Sequence, residues 1–138
     1  FNYDLIILDT NHILNEINLS LLDKSDDILF VLSNDSFDIK NMRTLISIFK
    51  DLDKNNYKIV LNNSIRCERE YFSNYDIKDI IKDNIDYVIS SKLYIKNIDG
   101  YIMNGDIVTL NKKYVGTKDY KVLDSIIEDA LGDSYEKE

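Results

Sequence analysis

The sequence predicts an α/β protein in which a mostly parallel sheet is flanked by helices. Short apolar runs alternate along the chain with segments whose apolar residues recur every three or four positions, which is typical of parallel strands joined by crossover helices. The first run, at residues 4–9, is apolar throughout its middle and ends abruptly in Asp9. A strand of that kind is buried in a sheet, and its carboxyl end opens on the crevice where α/β proteins bind ligands.

Strands are expected at residues 4–9, 27–33, 57–62 and 87–90, because each is dense in Ile, Leu, Val or Tyr. Helices are expected between and after them: one starting near Asn15, then 37–53, a third after Ser73, then 94–104 and 117–131. The helix at 37–53 has Ser36 or Asp35 as its N-cap, and Ser73 with Asp76 forms a capping-box variant. Gly105 and Gly132 stand where helices should stop.

Composition limits the possible partners. A chain of 138 residues with 44% hydrophobic content can bury one core, so we expect a single domain over residues 1–132 and a polar tail at 133–138.

Asp and Glu number 25 against 17 Lys and Arg, and the net charge of -8 disfavours binding to nucleic acid or anionic lipid. A single cysteine, Cys67, excludes an internal disulfide and fits a reducing cytoplasm. The sequence has no apolar run of the roughly 20 residues that cross a bilayer.

Four segments of the sequence, at residues 3–10, 25–35, 58–63 and 104–108, follow one another in the same order as four motifs of a known family. They resemble, in turn, the Walker B strand, the next strand with its polar loop, the strand that ends in a base-contacting Asn, and the asparagine-glycine turn of the ParA/MinD-type P-loop ATPases. The similarity is to the branch that includes the CpaE/TadZ pilus-assembly proteins. It implies a P-loop NTPase-like fold from the Walker B strand onward, with this chain as the C-terminal portion of the domain.

The resemblance also implies a nucleotide site. Asp9 occupies the position that orders Mg²⁺ through water, with Thr10 beside it. Asn34 lies in the loop that faces the nucleotide, and Asn62 occupies the position that contacts the adenine base. ATP and Mg²⁺ are the implied cofactors, and none of these residues is assigned a catalytic role. Asn11 and His12 replace the proline-containing switch of the family, so hydrolysis is less expected than binding.

The implied function is that of an ATPase-like factor that localises or assembles a pilus or secretion apparatus through nucleotide-linked homodimerisation. We expect protein partners, no specific nucleic acid, and a cytoplasmic protein that partners recruit to the membrane. Two alternatives stay open. One is a receiver-like signalling domain with Asp9 as phosphoryl acceptor and Ser33 as the switch hydroxyl. The other is a pseudo-ATPase scaffold that has lost turnover.

The sequence contains no glycine-lysine phosphate loop, and Phe1 stands where an initiator Met is expected. We therefore expect the nucleotide-binding half to lie upstream of residue 1, and this chain alone to be inactive. In the family, the phosphate-loop strand lies between the Walker B strand and the next strand in sequence. The strands at 4–9 and 27–33 should then be separated by a gap or by a strand from elsewhere.

Overall fold

The computed structural model describes residues 3, 5–11, 13, 15–64, 72–91 and 98–132. Three strands form one parallel sheet in the order β1-β2-β3: β1 (Ile28–Leu32), β2 (Tyr57–Asn62) and β3 (Tyr87–Ile89). Leu32 pairs with Leu61, and Asn62 pairs with Ile89. The three strands therefore end together at one side of the sheet, which we call the carboxyl edge. The predicted fold class is confirmed, as are the three predicted strands that form this sheet.

The helices follow the expected order. They are α1 (Glu16–Lys24), α2 (Ser36–Asp51), α3 (Asn74–Ile81), α4 (Ile98–Asn104), a 3₁₀ turn at Val108–Leu110, and α5 (Lys118–Leu131). Asp35 caps α2, and Ser73 with Asp76 forms a complete capping box on α3, as predicted. The predicted helix at 94–104 is confirmed over 98–104, and residues 94–97 lie outside the described part of the chain.

The core lies between α2, α3 and one face of the sheet. Phe30 of β1 and Phe49 of α2 meet edge to face, with ring centroids 5.1 Å apart. The side chains that are almost fully buried are aliphatic and come from both layers: Leu32, Ile39, Ile46, Ile59, Leu61, Ile77 and Ile81. This continuous packing holds the first turns of α2 and α3 at the carboxyl edge.

The opposite face of the sheet is only partly covered. Helix α5 packs against β3, and Val60 of β2 is buried on this face. On β1, however, Leu29 is 43% exposed and Val31 is 61% exposed. In the described part of the chain, β1 also has a strand on one side only. Its outer face and its free edge are therefore uncovered.

The predicted strand at residues 4–9 is wrong in this structure. Residues 5–9 have no regular secondary structure, and Ile6 and Ile7 are 71% and 75% exposed. A strand is stable only when a neighbour pairs with its backbone and its side chains are covered. Neither condition is met for this segment by the described residues. The segment does not pair with β1, which pairs with β2 alone.

No helix within the described ranges is both long and apolar enough to cross a membrane.

Candidate functional site

The carboxyl edge brings together polar residues from neighbouring strands. Leu32 of β1 and Leu61 of β2 are register partners, so the residues that follow them lie side by side. These residues are Ser33 and Asn34 after β1, and Asn62 and Asn63 at the end of β2. The carboxyl edge of a parallel sheet is the place where α/β folds bind ligands. Of the sequence-predicted site residues, Asn34 and Asn62 are therefore placed at a common edge.

Asn34 is 5% exposed and is bound to the segment before α3. Its Nδ2 donates to the Phe72 carbonyl oxygen at 2.7 Å, and its Oδ1 accepts from the Phe72 N–H at 3.3 Å. Asn34 precedes the N-cap of α2, and Phe72 precedes the N-cap of α3. The side chain thus joins the starts of two helices. Nucleotide contact by Asn34 stays a prediction.

Asn62 is half-buried at the end of β2. Its Oδ1 accepts from the Ser64 N–H at 3.0 Å and from the Ser64 hydroxyl at 2.5 Å. Its Nδ2 has no hydrogen-bond partner among the described residues, so it is a donor that a ligand could use. The next residue, Asn63, donates its backbone N–H to the Ile89 carbonyl oxygen at 2.9 Å and so continues the β2–β3 ladder.

Asp119 is a further polar residue of this edge, which sequence reasoning missed. It lies in the first turn of α5 and is 5% exposed. Its Oδ1 accepts from the Ser90 N–H and its Oδ2 from the Ser90 hydroxyl, both at 2.7 Å. Ser90 directly follows β3. The only sequence signal is an acid two residues after the N-cap Thr117, and that signal by itself indicates a favourable helix start and nothing more.

Asp9 and Thr10 are exposed and lie in the segment that is not part of the sheet. The structure therefore does not bring them to the carboxyl edge through strand pairing, and their roles stay predictions. No group of three or more His, Cys, Asp or Glu side chains that could hold a metal occurs within the described ranges. His12 and Cys67 fall outside those ranges.

Two polar networks lie at the opposite, amino end of the sheet. Asp83 accepts from the Tyr57 hydroxyl at 2.6 Å and from Lys50 Nζ at 3.0 Å. Partial burial raises the pKa of Asp83, but the hydrogen bonds from Tyr57, Lys50 and the Asn84 N–H, together with the positive charge of Lys50, hold the pKa below the usual 3.8. Asp129 of α5 accepts from Lys58 Nζ at 2.8 Å and from the Tyr87 hydroxyl. These contacts fasten helices to the sheet away from the carboxyl edge.

Comparison with solved structures identifies the fold. The MinC:MinD cell division protein complex of Aquifex aeolicus matches with a TM-score of 0.66 and 20% identity, over 91% of this chain and 50% of that chain. MinD of the same organism matches with a TM-score of 0.58 and 22% identity, over 83% and 47%. A ParA family ATPase from Chlorobium tepidum matches with a TM-score of 0.59 and 17% identity, over 85% and 46%.

No protein-family model matches the sequence, and no curated protein matches it. At these identities the structural similarity shows the fold alone. The chain spans about half the length of the structures it matches. The open parallel sheet and its flanking helices therefore have the P-loop NTPase-like α/β fold of MinD and ParA ATPases.

Proposed function

We propose that residues 1–132 are the C-terminal portion of a ParA/MinD-type ATPase domain of the CpaE/TadZ branch, followed by a polar tail at 133–138. In this proposal the protein localises or assembles a pilus or secretion apparatus. It acts by dimerising when nucleotide is bound. Its site lies at the carboxyl edge of the sheet, beside a phosphate loop that a preceding segment provides.

The uncovered edge of β1 is the observation that carries this proposal. Residues Ile28–Leu32 contain no charge, proline or glycine, and the outer side chains Leu29 and Val31 are exposed. Soluble proteins protect edge strands with charges, bulges or covering segments, because a bare apolar edge pairs with other chains. A bare edge of this kind is expected where the strand that normally pairs with β1 is missing. The phosphate-loop strand would occupy that position.

The available oxygen donors suit Mg²⁺ only in part. Mg²⁺ is commonly held by one or two carboxylates together with waters and substrate phosphates. Asp9 and Thr10 supply one carboxylate and one hydroxyl, both exposed, and so fit this pattern without forming a complete site. Asn62 offers its Nδ2 to the base, and Asn34 fixes the loop after β1. When bound, Mg²⁺ would neutralise phosphate charge.

The proposed partners are proteins. One matched structure is a complex of MinD with MinC, which supports a fold that presents surfaces to protein partners. The net charge of -8 opposes non-specific attraction to nucleic acid. We place the protein in the cytoplasm, as a homodimer that its partners recruit to the membrane.

The replacement Asp9→Ala tests this proposal in the longer polypeptide in which a phosphate loop precedes this chain. Loss of a water-mediated Mg²⁺ contact should weaken Mg²⁺-ATP binding roughly 5- to 30-fold, the equivalent of about 1–2 kcal/mol. Thermal stability should stay unchanged, because a side chain at the carboxyl end of a strand projects into the ligand crevice and its removal opens no core cavity. The matched control is Asp26→Ala, an exposed acid at the amino end of β1.

Calorimetric titration with Mg²⁺-ATP measures the effect. A variant that unfolds, while its folded fraction binds Mg²⁺-ATP as tightly as the parent protein, would show that Asp9 is structural and would contradict the proposed metal role.

A further inference from the structure

We propose that Asp119 is a positioning residue of the carboxyl edge: through Ser90 it fixes the end of β3 and thereby holds Asn62 in place to donate to a nucleotide base. This inference rests on the proposed function, because it takes the base as the ligand of Asn62. It adds a residue to the site that lies 57 positions from Asn62 in sequence.

The contact between Asp119 and Ser90 is the first step. Both carboxylate oxygens are used, one by the Ser90 N–H and one by its hydroxyl, each at 2.7 Å. The side chain is 5% exposed, so few water molecules can compete for these hydrogen bonds. A carboxylate in the first turn of α5 also interacts favourably with the helix dipole. Asp119 therefore ties the residue after β3 firmly to α5.

The second step runs from β3 to β2. Ile89 is the neighbour of Ser90 and the register partner of Asn62. Its carbonyl oxygen accepts from the Asn63 N–H at 2.9 Å. Ile89, the residue next to Ser90, therefore accepts the last backbone hydrogen bond between β2 and β3 at the carboxyl edge. Release of Ser90 should loosen this contact and the backbone of Asn62 with it.

The third step concerns the Asn62 side chain itself. Ser64 occupies its Oδ1 through two hydrogen bonds and so sets the orientation of the amide. The Nδ2 group then remains as the donor, with no partner among the described residues. An amide N–H suits the ring-nitrogen acceptors of a purine base. Because a hydrogen bond weakens steeply when its angle is wrong, the backbone that carries Asn62 must be held still.

A double-mutant cycle tests the inference in the 138-residue chain. The probe is AMP, titrated at millimolar concentrations and followed by ¹H–¹⁵N NMR of the backbone amides of residues 61–63, which every variant retains, and of the Asn62 side-chain amide in the variants that keep it. Asp119→Ala should weaken AMP binding about fivefold, the value of one hydrogen bond of about 1 kcal/mol. Asn62→Ala should weaken it by the same factor. If Asp119 acts through Asn62, the double variant should be no weaker than Asn62→Ala alone.

Asp129→Ala is the matched control. Asp129 is also an α5 aspartate that ties this helix to the sheet, but through Lys58 and Tyr87 at the amino end. Its removal should lower stability and leave AMP affinity unchanged. Asp119→Asn retains an acceptor for the Ser90 N–H and should restore most of the affinity.

Three results would overturn the inference: equal loss of affinity in the Asp129 variant, additive losses in the double variant, or no AMP-induced shift of the Asn62 amide in the parent chain. The last result leaves the proposed function standing, because the Asp9→Ala titration tests that function separately with the phosphate loop present.

Discussion

Replacement of Asn34 by alanine should destabilise the fold, because its buried side chain joins the starts of α2 and α3. The two hydrogen bonds to Phe72, at 2.7 and 3.3 Å, connect residues 38 positions apart in sequence. No other described side chain makes hydrogen bonds to Phe72. Alanine removes both hydrogen bonds and leaves a backbone N–H and a carbonyl without their partner.

A typical hydrogen bond contributes about 1 kcal/mol net, and an unsatisfied buried group costs about 1–3 kcal/mol. Phe72 is half-buried, so water can reach part of the vacated site. We therefore expect a loss of about 2 kcal/mol in the free energy of unfolding, taking the lower part of the range. For a domain of this size, the melting temperature should fall by about 6–10 °C.

Thermal unfolding followed by circular dichroism measures this loss. The control is Asn41→Ala, an exposed asparagine of α2, which should leave stability unchanged or raise it slightly, because alanine favours helix. A loss below about 0.5 kcal/mol for Asn34→Ala, equal to that of a neutral surface substitution, would refute the structural role of Asn34. The nucleotide contact that the resemblance implies for Asn34 stays a separate prediction.

Two further predictions concern nucleotide affinity and acid stability. The isolated chain should bind ATP or ADP no better than about millimolar, because Asp9 and Asn62 alone supply only peripheral contacts. Tight phosphate binding needs the backbone N–H groups of a phosphate loop. Micromolar affinity measured by calorimetry would contradict this prediction. Asp83→Asn should lower stability at neutral pH by about 1–2 kcal/mol through its hydrogen bonds with Tyr57 and Lys50. Folding lowers the pKa of Asp83 below 3.8, so the ionised side chain contributes its full share to the free energy of unfolding above that pH. This stabilisation disappears as the pH falls through the pKa of the folded state. The difference between parent and variant in urea titrations should therefore shrink in acid, and a constant difference would argue against this.

Most of the fold follows from local patterns. Short stretches of sequence are enough to recognise the apolar runs of the three strands β1, β2 and β3. The same is true of the three- and four-residue spacing of apolar residues in α2, α3 and α5. The caps at Asp35, Ser73 and Thr117 act within three residues, and two of them were predicted together with their helices. Such features depend on neighbours in sequence, so the sequence predicts them well.

The features that the sequence did not predict depend on distant partners. Residues 4–9 have a strand pattern, but a strand forms only when it pairs with another strand, and residues 5–9 pair with none of the described strands. The resemblance implies that Asn34 faces the nucleotide, and that role stays a prediction. The contact of Asn34 with Phe72 depends on how α2 and α3 pack. The Asp119–Ser90 contact likewise depends on α5 returning to the end of β3.

Strand order in a polypeptide that joins the phosphate-loop segment to this chain tests the central claim most directly. A crystal structure of that polypeptide should show the phosphate-loop strand paired in parallel with the free edge of β1, with Leu29 and Val31 covered. Residues 5–9 should form a strand on its far side and bring Asp9 to the carboxyl edge. Direct pairing of residues 5–9 with β1 would contradict the account and favour a receiver-like order.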